Sequence, residues 1–206
     1  MKLYEMAIAP NPRRVRMFLA EKGLLDQVER VQIDLQKGEN LTPEFRSKNP
    51  MTKVPVLETD DGTCIAETMA ICRYVECSHP ETVALLGETP KEVALIEQWL
   101  RWIDFYLFMP TGMAFQHGSG YFKDRMKCFP EWGADCKEKV EKFFDFLNEQ
   151  LRDRDYLCCS KFTCADINAY TSVQFAKVVG VRVDAEKHPH LQAWHERIDS
   201  RDSAKV

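Results

Sequence analysis

The chain has 206 residues, 45% apolar and 29% charged, the composition of a soluble globular protein with one large domain or two small ones. Its formal net charge of −4 excludes a general attraction to nucleic acid or anionic membranes, and no apolar run approaches the length of a membrane span. The opening MKLYEM lacks the character of a signal peptide, so a cytoplasmic setting is expected. Eight cysteines form no C-x-x-C pair and, with five scattered histidines, match no zinc pattern. In a reducing compartment they are expected to be plain buried residues, with no metal.

Lys2 to Met6 reads as a strand and Ala7 to Asn11 as a loop. Asn11-Pro12 signals a helix start, with Asn11 as N-cap and Pro12 at the first helical position. Val15, Phe18 and Leu19 share a face of this helix, and Gly23 stops it. Val28 to Ile33 alternates as a second strand, Lys37 to Asn40 is a polar loop, and Thr42-Pro43 starts a short helical piece. Val54, Val56 and Leu57 around Pro55 form a strand with no N–H at the proline, which suits an edge or a bend and makes Val54-Pro55 a candidate cis peptide. Asp60-Asp61-Gly62 is a hairpin turn, Thr63-Cys64-Ile65 the returning strand, and Ala66-Glu67-Thr68 opens a helix with Met69, Ile71, Cys72 and Val75 on one face.

Ser78 to Gly87 has a proline, a glycine and no clear period. The expected division is therefore an α/β domain over 1–77, a linker over 78–88 and an all-helical domain over 89–206. Beyond the linker only helical period remains. Thr89-Pro90-Lys91-Glu92 is a capping box opening a helix through Val93, Ile96, Trp99, Leu100, Ile103 and Leu107, with a kink expected at Pro110. A second long helix is expected over Ala134 to Leu151, burying Val140, Phe143, Phe144 and Leu147. Thr163 and Asp166 form an N-cap and acid pair with Phe162 and Ile167 as a hydrophobic staple, so Asp166 reads as structural. His188-Pro189 opens a last helix carrying Leu191, Trp194 and Ile198.

Lys53-Val54-Pro55-Val56-Leu57, a turn, a strand, Glu67-Thr68 and a helix together resemble the glutathione transferase superfamily. The physical logic agrees. An extended peptide can pair with the backbone of Val54, and the first turn of a helix offers N–H groups and a hydroxyl to a carboxylate. The resemblance, which extends to the Thr163-Asp166 box, implies an N-terminal thioredoxin-like domain followed by a C-terminal helical bundle, with glutathione as co-substrate. It places Val54 and Pro55 against the cysteinyl part of glutathione, Glu67 and Thr68 at its γ-glutamyl end, and Asn40 and Lys53 at its glycine end. Arg13 and Arg14 add positive potential there.

At the catalytic position the chain departs from common members, which donate to the sulfur from a Tyr, Ser or Cys just after the first strand. Tyr4 lies too early, Ala9 occupies the usual serine place, and no cysteine is near. Asn11 remains, its amide a donor to a thiolate at the positive end of a helix. The Pro-Asn element is similar to that of nu-like bacterial members associated with disulfide-bond reductase activity. The implied function is a cytoplasmic, homodimeric detoxification enzyme. In it, glutathione thiolate attacks an electrophilic small molecule or a disulfide. The acceptor would meet Phe105 to Met109, Met113 and Phe115. The alternative is a non-catalytic binding or interaction module, to which Ala9 lends support. Redox chemistry through an enzyme cysteine is disfavoured by the missing C-x-x-C.

Overall fold

A computed structural model describes all 206 residues. They form two compact units, Met1–Leu85 with Asp202–Val206, and Leu86–Arg201. In the first, β1 (Lys2–Glu5), α1 (Pro10–Glu21), β2 (Glu29–Gln32), α2 (Pro43–Lys48), β3 (Val56–Glu58), β4 (Cys64–Ala66) and α3 (Thr68–Ser78) follow the expected β-α-β-α-β-β-α order. The sheet order is β2-β1-β3-β4, with β1 and β2 parallel and the other pairs antiparallel. Side chains alternate across this sheet. Tyr4 and Val56, paired in register, face a cluster with Phe45 of α2 and Val54. Leu3 and Leu57 face the opposite side, where the buried residues of α1 and α3 cover them. The Val54-Pro55 peptide is cis, as its setting suggested.

The boundary between the units, Leu85 to Leu86, falls within the expected linker 78–88, most of which groups with the first unit. Leu85 is buried, its N–H donates to Glu76 Oε1 at 2.9 Å, and Lys22 Nζ donates to the Val83 carbonyl at 2.8 Å, so the segment after α3 folds back on the first unit. The last residues do the same. Arg13 Nη2 donates to the Ala204 carbonyl at 2.8 Å and Ser203 Oγ to the Glu21 carboxylate.

The second unit is all helical: α4 (Pro90–Ile103), a π-helical segment (Asp104–Phe108), α5 (Met109–Gly118), α6 (Pro130–Gln150), α7 (Cys164–Phe175) and α8 (Pro189–Asp199). Thr89 caps α4 by accepting from Glu92 N at 3.2 Å, while the Glu92 carboxylate accepts from Glu88 N rather than closing the box on Thr89. The kink expected at Pro110 is instead the π segment before it. A proline has no N–H and clashes with the carbonyl four residues back, and a wider turn accommodates both. α6 begins at Pro130 rather than Ala134, with the proline at the first helical position, and a Cβ at Gly133 would stand 2.7 Å from Gly118 N. The two glycines let α5 and α6 approach closely where larger residues would hold them apart.

α7 is buried on all sides from Cys164 to Val173, so its apolar residues need not form a stripe. Asp166 holds its start. One carboxylate oxygen accepts from Leu157 N and Trp194 Nε1, each at 3.0 Å, and the other from Thr163 N at 3.0 Å. Burial pushes this carboxyl up to about 6, while the N–H donors to its charged form pull the other way.

Candidate functional site

The strand register gathers the expected site residues at one end of the sheet. Tyr4 pairs with Val56 and Val56 with Ala66. The loop leaving β1, the Val54-Pro55 segment entering β3 and the Glu67-Thr68 segment leaving β4 are therefore neighbours. β2, parallel to β1, ends there too, and Ile33 N donates to the Glu5 carbonyl at 2.7 Å. The carboxyl ends of parallel strands are where open α/β sheets bind ligands. Cys64, at the far end of β4 opposite Glu58, is excluded from this edge.

The β1–α1 loop is pinned by groups that the sequence reading missed. Glu5 is 0% exposed and ion-paired to Arg16, which is buried. Arg16 Nη2 also donates to the Ala7 carbonyl at 2.8 Å; Gln32 Nε2 donates to Glu5 at 3.1 Å, and Ala7 N to Gln32 Oε1 at 3.1 Å. Both backbone polar groups of Ala7 are thereby fixed. A signal existed: Glu5 falls on the Leu3 face of its strand, and Arg16 lies between Val15 and Met17 in the buried part of its helix.

α1 starts directly after this pinned loop. The helix begins at Pro10 with Ala9 as N-cap and no side-chain cap, so Asn11 is the second helical residue and not the N-cap expected. Pro10 fits because the first helical N–H needs no intrahelical partner. Pro10 and Pro12 carry no N–H, so Asn11 alone among the first three helical residues offers a backbone donor. Its half-buried side-chain amide makes no hydrogen bond to the protein. Arg13 and Arg14 do not stand open at this mouth, Arg14 being buried and Arg13 holding the Ala204 carbonyl.

Tyr4 is occupied elsewhere. Its hydroxyl donates to Glu58 Oε2 at 2.8 Å, and Lys48 Nζ, 2.7 Å from the same oxygen, lies over its ring at 4.7 Å. Burial, reinforced by the Glu58 hydrogen bond, raises the phenol pKa.

Asparagines shape the segment before β3. Asn40 Nδ2 donates to the Thr52 carbonyl at 2.8 Å, and Thr52 takes φ 55°. Asn40 thus holds the loop, with a second amide N–H left for a ligand. Asn49, another residue the sequence reading missed, is 2% exposed; its Nδ2 donates to the Lys53 carbonyl at 2.8 Å and its Oδ1 accepts from Met51 N at 3.0 Å. Asn49-Pro50, a turn-forming dipeptide, was the available signal. Lys53 is exposed and makes no ion pair, and the backbone N–H and C=O of Val54 have no protein partner. Glu67, the N-cap of α3, is exposed at φ 70° and ψ 123°, a conformation costing a non-glycine residue about 1–3 kcal/mol. Thr68 follows at the first helical position, 8% exposed, its hydroxyl without a protein partner.

In the helical unit the expected acceptor-lining run divides. Leu107 is core, Phe108 packs on Phe175 and Phe115 on Tyr121 and Phe122. Phe105, Tyr106, Met109 and Met113 line a groove of about 490 Å³ with Trp132, Phe143 and Phe146 of α6.

The fold is a thioredoxin-like domain carried on the same chain as a helical bundle. The glutathione S-transferase N-terminal domain model matches residues 8–77 and the C-terminal domain model residues 132–202. "Glutathione S-transferase 2" of Saccharomyces cerevisiae is 36% identical over all of this chain and 88% of its own length. The crystal structure of Gtt2 from Saccharomyces cerevisiae, also 36% identical, matches with a TM-score of 0.92 over 100% of this chain and 99% of that one. A glutathione S-transferase domain-containing protein from Marinobacter aquaeolei is 38% identical, with a TM-score of 0.91 over 98% of this chain and 99% of its own. The chain belongs to the glutathione transferase family.

Proposed function

We propose that the chain is an enzyme using glutathione as co-substrate, in which the glutathione thiolate attacks an electrophilic small molecule. One observation chiefly supports this: the unpaired backbone of Val54, the start of α3 at Glu67 and Thr68, and the start of α1 at Asn11 all emerge at one end of the sheet. Glutathione is an extended peptide with a carboxylate at either end and a thiol between them. In this reading Val54 and Pro55 face the cysteinyl part and Glu67 and Thr68 hold the γ-glutamyl end. Lys53 neutralises the glycine carboxylate and Asn40 supplies its remaining N–H beside it. The thiolate is the reactive form of sulfur, and the Asn11 amide with the positive end of α1 favours it. Attack on a disulfide is the second reaction, open to the same thiolate.

Glutathione retention and turnover test the reading together. The chain is expected to bind immobilised glutathione and to turn over 1-chloro-2,4-dinitrobenzene or a small hydroxyethyl disulfide. Retention without either activity would make it a non-catalytic binding module. Failure to bind glutathione would overturn the assignment.

The proposal extends to assembly and setting. Phe105, Tyr106, Met109 and Trp132 are each about half exposed around the groove of the helical unit, an apolar patch of the kind that marks an interaction surface. A second copy of the chain is its proposed cover, giving a two-fold homodimer. No helix is long and apolar enough to cross a membrane, and the net charge disfavours nucleic acid. A cytoplasmic detoxification role fits these properties.

A further inference from the structure

Cys158 and Cys159 lie in the loop between α6 and α7, far in sequence from the proposed glutathione site. Both line a cavity of about 310 Å³ formed with Asp153, Arg154, Tyr156 and Ser160. Both residues form part of its wall, so the two side chains border the same space. The surrounding chain is held firmly. Leu157 N is bound by Asp166, and Cys158 Sγ lies 3.8 Å from the Thr163 hydroxyl that caps α7. Cys159 and Ser160 take φ 59° and 51°, a left-handed bend that non-glycine residues adopt at a cost.

The chemistry of the pair narrows what it can hold. Zinc takes four ligands in structural sites, and no group of three His, Cys, Asp or Glu side chains with metal-binding geometry exists in the structure. Disulfide exchange requires a thiolate nucleophile, whereas burial pushes the Cys158 thiol up to about 12. What suits two adjacent thiols, one buried and one half-buried, is a soft centre that needs only two protein sulfurs, brings its own third substituent and leaves no charge behind.

We propose that Cys158 and Cys159 form a dithiol binding site for trivalent arsenicals, opening to this cavity. With an arylarsenoxide, the two bonds from arsenic to its oxygen are replaced by two As–S bonds. Both thiol protons leave on that oxygen as one water. Arsenic stays trivalent, neither sulfur is oxidised and no co-reactant is required. The product is uncharged, which matches the burial of Cys158.

The test is titration of the full-length reduced protein with phenylarsine oxide in millimolar glutathione, read by intact mass. One adduct is expected, heavier than the protein by the probe less one water, and removable by 2,3-dimercaptopropanol. Cys159→Ser is expected to lose it with a roughly 10²–10⁴-fold weaker apparent affinity, the gain that a second tethered contact gives over one. Cys158→Ser and Cys158→Ala are expected to do the same, with circular dichroism confirming the fold. Cys64→Ser, Cys77→Ser and Cys128→Ser, at the other thiols that are not fully buried, are expected to retain it. No adduct on the native protein, or an undiminished adduct on folded Cys159→Ser, would overturn the proposal.

Discussion

Replacing Asn11 with Ala separates a role in chemistry from a role in folding. An N-cap Asn contributes about 0.5–2 kcal/mol to stability through its hydrogen bond to the first turn. Asn11 is the second helical residue and makes no such bond, so Asn11→Ala is expected to change stability by only a few tenths of a kcal/mol. Its amide is the side-chain donor available at the start of α1, where Pro10 and Pro12 have no N–H and Ala9 no hydroxyl. Removing one charge-assisted hydrogen bond to a thiolate is expected to lower kcat/KM by roughly 1–2 kcal/mol, on the order of 5–30-fold. The apparent pKa of bound glutathione is expected to rise by about 1 unit, because a donor to the charged form is gone. The backbone N–H of residue 11 and the helix end survive the substitution, so activity should fall without vanishing. The assays are the pH profile of conjugation, thiolate absorbance of the bound tripeptide, and urea unfolding. Unchanged turnover and thiol pKa, or a stability loss of a full cap, would refute the assignment.

Thr68→Ala is expected to weaken glutathione binding by about 1–3 kcal/mol, measured by calorimetry, with a smaller effect on stability. Unchanged affinity would move the carboxylate site elsewhere. Arg16→Met leaves Glu5 charged and buried, and should destabilise the fold by about 3–5 kcal/mol in urea unfolding; a loss below 1 kcal/mol would mean the pair does not hold the loop. Asp166 titrates near 6 when folded against an ordinary 3.8, so its contribution to stability is full below the unfolded value and lost as pH rises through the folded one. From pH 7 to pH 5 the native protein should gain about 1 kcal/mol over Asp166→Asn, and no gain would place the folded pKa lower. Light scattering should show a dimer at micromolar concentration, and Tyr106→Glu should shift it toward monomer; a monomeric native chain would leave the groove for another occupant.

Local signals determined much of this protein. Turn chemistry at Asp60-Asp61-Gly62, the proline beside Val54 and the caps at Thr42, Thr89 and Thr163 act within a few residues of themselves, and each falls where the sequence placed it. The order of elements, and with it the two-part architecture, followed from those signals. The Val-Pro and Glu-Thr elements could be named from the sequence because they too are short-range patterns. Tertiary contacts decided the rest. The loop before α1 is held by Glu5 and Gln32, paired across two strands, and by Arg16 of α1 itself. The membership of residues 202–206 in the first unit depends on Arg13 and Glu21, which are distant in sequence. The π segment answers to Pro110 within its own helix, whereas the close approach of α5 and α6 at Gly118 and Gly133 is a contact across the fold. Cys158 and Cys159 are neighbours in any conformation, but that both line one cavity follows from a left-handed bend the sequence does not announce. Buried charges and helix ends answer to partners across the fold, and a pattern read along the chain has no access to them.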